Sequence, residues 1–225
     1  MTEPLSLDPA TMAPRDRYKV LISLVIPRPI ALVTTLGPTG IVNAAPFSFF
    51  NMFSEQPPLA VLGIQSRPDG EMKDTAAHIR DRGSFVINLV DEALGERMNI
   101  CAVDFPPDIS EIDASGLTTV PSVTTPVPRI AEAPAALECR HYTTLEVSRE
   151  RRLVIGEVVH IHVRPGIIDP ERLRVDMKEY RPLARLYGNF YASLGEPFTH
   201  ERQTFAEWQV SQANGGKAPP QREPA

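Results

Sequence analysis

Leu153-Val154-Ile155-Gly156-Glu157-Val158-Val159-His160-Ile161-His162-Val163 is a run of aliphatic and β-branched residues with two histidines near its end. At a period of two, its odd positions hold Leu153, Ile155, Glu157, Val159, Ile161 and Val163. Its even positions hold Val154, Gly156, Val158, His160 and His162, so the two histidines are expected on one face of a long strand. The preceding run, Leu137 to Val147, places Leu137, Cys139, His141, Thr143, Leu145 and Val147 at its odd positions and reads as a second long strand.

Working outward, Ile30-Ala31-Leu32-Val33-Thr34-Thr35 reads as a buried strand. Gly37-Pro38-Thr39-Gly40 turns it into Ile41-Val42-Asn43-Ala44-Ala45, giving a hairpin with a longer loop. Leu59 to Ile64 follows the stop Gln56-Pro57-Pro58 as a third strand, and Ser84 to Val90 is a fourth. Between these lies a short helix, with Asp74 as the expected N-cap and Gly83 as the C-cap. A second helix is expected over Glu92 to Val103. Asp104 to Ser115, with four acidic residues and no basic one, reads as a surface loop. Six or so strands in mostly antiparallel connection predict a mostly β protein with few helices. A closed or nearly closed barrel is the natural way to hide the strand edges.

The chain has 225 residues, 23 of them proline. Proline on this scale works against a helical bundle. The polar, proline-bearing segment 1–17 is expected to be a flexible arm, 18–210 the ordered domain, and 211–225 a disordered tail containing Asn214-Gly215-Gly216-Lys217-Ala218-Pro219-Pro220. A net charge of -5 argues against a nucleic-acid or anionic-membrane partner bound through bulk charge. No apolar run reaches the roughly 18 residues needed to cross a bilayer. No signal peptide opens the chain, and Cys101 and Cys139 make no disulfide framework, so a cytoplasmic protein with reduced, packed thiols is expected.

Three places carry chemistry. In Asn43-Ala44-Ala45-Pro46-Phe47-Ser48-Phe49-Phe50-Asn51, small residues beside a proline let a ligand approach the backbone. Ser48 and Asn51 offer hydrogen bonds, and a phenylalanine can cover a ring. The same pattern also describes a bulged strand with core phenylalanines. In Ser66-Arg67-Pro68-Asp69-Gly70-Glu71-Met72-Lys73-Asp74-Thr75, Arg67, Lys73 and Thr75 gather at a helix start, where free N–H groups and the helix dipole favour an anion such as phosphate. An ordinary capped helix with surface cations fits equally well. Finally, His141, His160 and His162 lie on neighbouring expected strands and suit a metal, although no carboxylate stands at a supporting spacing because Glu157 points to the other face. No P-loop, GxGxxG, GxSxG or HExxH motif is present, and no catalytic side chain is assigned.

Taken in order, Ser23-Leu24-Val25-Ile26-Pro27-Arg28-Pro29-Ile30-Ala31-Leu32-Val33-Thr34-Thr35, Asn43-x-Ala45-Pro46-Phe47-Ser48-Phe49-Phe50, Pro57-Pro58, Arg67-Pro68-Asp69-Gly70 and Lys73-Asp74-Thr75 resemble the flavin reductase-like, FMN-binding split β-barrel family. Gly156-Glu157-Val158-Val159-His160 and Pro182 to Gly188 extend the likeness over about residues 18 to 195. The resemblance implies a dimeric split barrel with FMN near the subunit interface. It puts the ring edge against main chain near Ala44, Ala45 and Ser48, within the Asn43, Pro46, Phe49 and Asn51 segment, and the phosphate at Arg67, Lys73 and Thr75. It also implies hydride transfer from NADH or NADPH, chemistry that needs no protein nucleophile. Tyr187 and Tyr191, with Gly188, Asn189 and Arg185, are the expected nicotinamide entrance. A partner monooxygenase would receive reduced flavin. A flavin carrier without nicotinamide turnover, and a metal-dependent barrel enzyme using the three histidines, are the alternatives. The chain departs from the family's usual pattern at His78 and at Tyr187.

Overall fold

The computed structural model describes residues 3–106 and 109–213. Along the chain come α1 (Pro14–Leu24), β1 (Arg28–Pro29), β2 (Ala31–Leu36), β3 (Val42–Phe47), β4 (Phe50–Glu55), β5 (Pro58–Gln65), α2 (Asp74–Arg82) and β6 (Ser84–Leu89). A 3-10 turn (Glu92–Leu94) leads into α3 (Gly95–Ile100) and α4 (Glu111–Ser115), followed by β7 (Thr119–Val120), β8 (Arg129–Ile130) and the long hairpin of β9 (Ala135–Ser148) and β10 (Arg151–Val163). The short strands β11 (Ile168–Asp169), β12 (Arg174–Val175), β13 (Leu183–Arg185) and β14 (Tyr191–Ser193) precede α5 (Phe205–Ala213).

Seven strands pair in the order β3-β2-β6-β9-β10-β5-β4, and every pairing is antiparallel. β3 and β4 stand at opposite ends of that order, yet only Ser48 and Phe49 separate them in the chain. Three peptide links reach about 11 Å at most. The sheet must therefore curl until its two edges approach, while the ladder stays open between them. Gly63 on β5 donates its N–H to the Phe49 carbonyl at 2.7 Å at this crossing. The result is a split barrel rather than a closed one.

β2 is buried along nearly its whole length because both its faces are covered. Ala31 and Val33 enter a core with Leu62, Ile64, Phe85, Ile87, Cys139 and Ile79 of α2. Leu32 enters a second core with Ala44, Leu94, Met98, Cys101 and Ile112 beneath α3 and α4. Both thiols are free and buried, and burial pushes the Cys101 thiol above its ordinary pKa. The free edge of β3 is closed by the α4 region, where Ala44 N–H donates to Glu111 Oε2 at 3.2 Å and Ser110 Oγ to the Val42 carbonyl at 3.4 Å.

The expected strands and the 74–83 helix are present, and Gly83 ends that helix in the left-handed region at φ 72. Four details differ. Lys73, not Asp74, is the N-cap of α2, and no side chain caps that end. The helix expected over 92–103 is a 3-10 turn running into the shorter α3, because Asp91 caps it by accepting from Leu94 N–H at 3.1 Å. α4 forms within the stretch read as a loop, although Pro107 and Asp108 lie outside the described residues. α1 begins at Pro14, a position that needs no backbone donor, so the proline read as a mark of irregular chain starts a helix. The boundary expected at 17/18 thus falls within α1.

The described residues up to Leu194 form one compact unit and a second begins at Gly195. In the second, α5 runs to Ala213, across the expected start of the tail at 211. The Asn214–Ala225 part of that tail lies outside the described residues. Among the described residues no helix is long and apolar enough to cross a membrane.

Candidate functional site

The anion end is assembled by α2 packing across β2 and β3. Thr75, on the first turn of α2, is 2% exposed, and Asn43 of β3 reaches it with Nδ2 donating to Thr75 Oγ1 at 3.2 Å. The same amide donates to Thr35 Oγ1 of β2 at 3.3 Å, and Thr35 Oγ1 lies 3.1 Å from His78 Nδ1 on the next turn of α2. Burial is the largest influence on His78 and lowers its pKa, outweighing the opposing pull of Asp74 and Asp81. Lys73 and Arg67 flank this turn, half exposed. Arg67 Nη2 meets Asp74 Oδ2 at 2.7 Å and Lys73 Nζ lies 3.8 Å from Asp104 Oδ1. Two cations, an uncapped nine-residue helix and a buried hydroxyl fit a phosphate. Each of the two cations thus has a carboxylate beside it.

The aromatic end lies at the far end of β3. From Asn43 to Ser48 the strand rise amounts to about 16 Å, so the two ends suit an elongated ligand. Ser48 Oγ lies 3.5 Å from Arg28 Nε. Arg28 is 8% exposed and donates to the Ile22 and Val25 carbonyls at 2.6 and 2.8 Å, and also to the Leu186 carbonyl. One guanidinium therefore ties α1, the β3–β4 crossing and the segment before Tyr187 together. Phe49 lies under Arg151 Cζ, 5.0 Å from its ring centroid, with Tyr18 at 6.3 Å.

At the expected entrance, Arg185 Cζ stands 4.5 Å from the Tyr191 ring centroid, and Arg185 Nη2 donates to the Gly188 carbonyl. Tyr191 Oη donates to Asn99 Oδ1 at 3.1 Å, and Tyr187 and Phe190 pair at 5.2 Å.

The structure thus joins Asn43 to Thr75, and Ser48, through Arg28, to Leu186. It does not offer every residue named from sequence to a ligand in the same way. Ala44 is fully buried in the second core and its N–H is held by Glu111. Ala45 and Pro46 are half-buried. Asn51 is exposed on β4, and its Oδ1 accepts from the neighbouring Met52 N–H at 2.8 Å. Phe47 and Phe50 pack on the first core, so the segment is both a strand with core phenylalanines and the wall of the candidate site. Arg28 and Thr35 were missed. An arginine within a strand-forming stretch was the only signal for the first.

The histidines need a correction. A bulge between Val158 and His160 shifts the β9–β10 register, so Val158 pairs with Cys139 and His160 with Glu138. Val158 and Cys139 face the first core, and the extra residue turns His160 and His162 to the opposite face. There the rings lie 4.7 Å apart, and His162 Nε2 is 2.6 Å from Oε1 of the buried Glu138. His141 instead bonds Thr144 Oγ1 at 2.8 Å. A carboxylate does support the pair, contrary to expectation, and Glu138, His160 and His162 form a group of metal-ligating type. Glu138 also accepts from Val123 N–H at 2.7 Å, Thr124 N–H at 2.6 Å and Thr124 Oγ1 at 2.5 Å. Its lone pairs are saturated, so it anchors the 121–128 strap rather than a metal.

Residues 23–184 match the family model described as a flavin reductase like domain. Several solved structures resemble most of the chain. The Pseudomonas fluorescens 2-nitrobenzoate 2-nitroreductase NbaA is 39% identical with a TM-score of 0.82, over 89% of this chain and 98% of that one. Nitrilotriacetate monooxygenase component B from Bacillus cereus is 35% identical with a TM-score of 0.84, over 89% and 100%. A Shewanella frigidimarina protein described as having a split barrel domain shares the fold at 21% identity and a TM-score of 0.75, over 87% and 96%. The strand order with its open ladder and the match over residues 23–184 together make this chain a member of the flavin reductase-like family of split-barrel proteins.

Proposed function

We propose that the protein binds FMN non-covalently between the α2 start and the β3–β4 crossing, and that it is an NAD(P)H-dependent flavin reductase. The observation that carries the phosphate end is the uncapped N-terminus of α2, with the buried Thr75 on its first turn, Lys73 at its N-cap and Arg67 paired to Asp74 beside it. When bound, the flavin would supply the redox chemistry, taking a hydride from the nicotinamide and passing two electrons on. The chain's own residues bind and orient. Lys73, Arg67 and Thr75 hold the phosphate, Ala45 and Ser48 line the ring edge, and Arg185 with Tyr187 and Tyr191 receives the nucleotide. Lys73→Ala and Thr75→Val are each expected to weaken FMN by about 1 to 3 kcal/mol in a fluorescence titration, leaving riboflavin unaffected. Equal losses for both ligands would remove the phosphate role.

A homodimer completes the site in this reading. Two concavities of about 300 and 360 Å³ are lined by Ile41, Val42 and Asp113 and by Ser84, Thr125 and Val159, not by the candidate residues. Phe49, Met52 and Phe53 around the crossing are exposed apolar residues that a second copy would cover. Light scattering is expected to give twice the monomer mass.

Likeness to a monooxygenase component B supports a partner oxygenase as acceptor of the reduced flavin. The second reading, a flavin carrier without nicotinamide turnover, is favoured by the solvent-exposed Tyr187 and by an Arg185 already engaged with Gly188. Anaerobic stopped-flow at the flavin absorption band separates them. Bleaching by NADH or NADPH is the expected result. Bleaching by dithionite alone would leave the carrier reading.

A further inference from the structure

Most of α2 is held by apolar contacts, with Ala76 and Ile79 entering the first core. Its N-terminal turn is different. There Thr75, Asn43, Thr35 and His78 make a chain of side-chain hydrogen bonds linking α2, β3 and β2. Apolar side chains could pack a helix on a sheet here as they do one turn later, so the polar chain calls for another reason.

Its direction supplies one. An asparagine amide nitrogen has two protons and no acceptor capacity, and Asn43 Nδ2 gives one to Thr35 Oγ1 and one to Thr75 Oγ1. Each threonine oxygen is thereby an acceptor towards Asn43, and its own proton must go elsewhere. For Thr35 the further neighbour is His78 Nδ1 at 3.1 Å, on a ring whose pKa burial lowers. Thr75 Oγ1 likewise accepts from Asn43, on the first turn of the uncapped α2, so its own proton is left for an acceptor other than that amide.

We infer that Asn43 is a positioning residue that touches no ligand atom: its amide orients the Thr75 hydroxyl as a donor to the ligand's phosphate and so sets the preference for phosphorylated over unphosphorylated flavin. The inference rests on the phosphate placement proposed above and deepens it. It changes the role assigned to Asn43 from contact to support. Replacing the amide by a group that cannot donate frees the hydroxyl to rotate, so a phosphate oxygen meets an unoriented group.

The test is the ratio of riboflavin Kd to FMN Kd, measured by fluorescence titration of the full chain. A ratio near one in the unmodified protein would overturn the phosphate placement itself, and this inference with it. With a ratio well above one, Asn43→Leu is expected to lower it about tenfold through FMN alone, the scale of one charge-assisted hydrogen bond, with riboflavin affinity within about twofold. Thr75→Val should lower the ratio similarly, and adding Asn43→Leu to it should lower it no further. An unchanged ratio in Asn43→Leu, or parallel loss of both ligands, would show a structural role only and overturn the inference while the phosphate site stands. If Asn43→Leu does not fold, Asn43→Ser, too short to reach Thr75, is expected to give the same fall in ratio and is judged by the same outcomes.

Discussion

Replacing Glu138 by alanine is expected to cost about 3 to 5 kcal/mol of stability, the range for breaking a buried charged network by removing one partner. Glu138 is 0% exposed and accepts from Val123 N–H, Thr124 N–H, Thr124 Oγ1 and His162. Alanine leaves those donors unpaired beneath the 121–128 strap, which otherwise holds through contacts such as Thr34 Oγ1 to the Pro128 carbonyl at 2.7 Å and Thr125 Oγ1 to Ser84 Oγ at 2.8 Å. Urea denaturation measures the loss, and a change below about 1 kcal/mol would contradict the anchoring role.

The same carboxylate predicts a pH signature. Burial alone would raise its pKa, but the bonds from His162, Thr124 and the strap N–H groups outweigh burial and bring it from 4.5 down to about 2. A folded pKa below the unfolded one contributes stability that is present above the unfolded value and is lost as pH falls through the folded one. The contribution, about 3 kcal/mol, should therefore fade between roughly pH 4.5 and pH 2. Glu138→Gln, similar in shape but without the titration, should lose the component of acid sensitivity in that window.

The second large effect is expected at Gly156. A Cβ there would lie 2.3 Å from Phe85 Cζ, 2.8 Å from Phe85 Cε1 and 3.2 Å from Cys139 Cβ. Phe85 is fully buried in the first core with Cys139 of β9 and Ile79 of α2, so a displaced ring would press on packed neighbours. Gly156→Ala should cost about 3 kcal/mol, at the upper end for overpacking, and lower Tm by roughly 6 to 12 °C for a chain of this size. Phe85→Leu removes the ring that collides. Combined with Gly156→Ala it should cost clearly less than the two changes summed, and strict additivity would show that the clash is relieved some other way.

Local chemistry made much of the fold legible. The continuous apolar run Ile30 to Val33, followed by two β-branched threonines, reflects a strand covered on both faces, and Gly83 ends α2 because the left-handed region admits glycine without strain. The cations and threonine at the α2 start were visible for the same reason, since a helix terminus exposes the same N–H groups whatever it packs against. The family resemblance rests on short motifs in a definite order, and the family match over residues 23–184 agrees with it.

Tertiary structure alone decided the rest, because it depends on pairing and register. A strict period of two places Val154, Val158, His160 and His162 on one face, yet one extra residue in the ladder moves the histidines across the sheet to Glu138. β4 was hidden in a segment whose phenylalanines looked like ligand covers, because an edge strand with one paired side carries a weak pattern. Ala44 keeps the small side chain expected of a ligand wall, but its N–H went to Glu111, 67 residues away. Asn43 and Thr75 are 32 residues apart, and Arg28 and Leu186 are 158 apart. Periodicity and capping report on neighbours within a turn or a hairpin. Partners at such separations meet only when the sheet curls and α2 settles on it, so what binds and what supports was settled by packing.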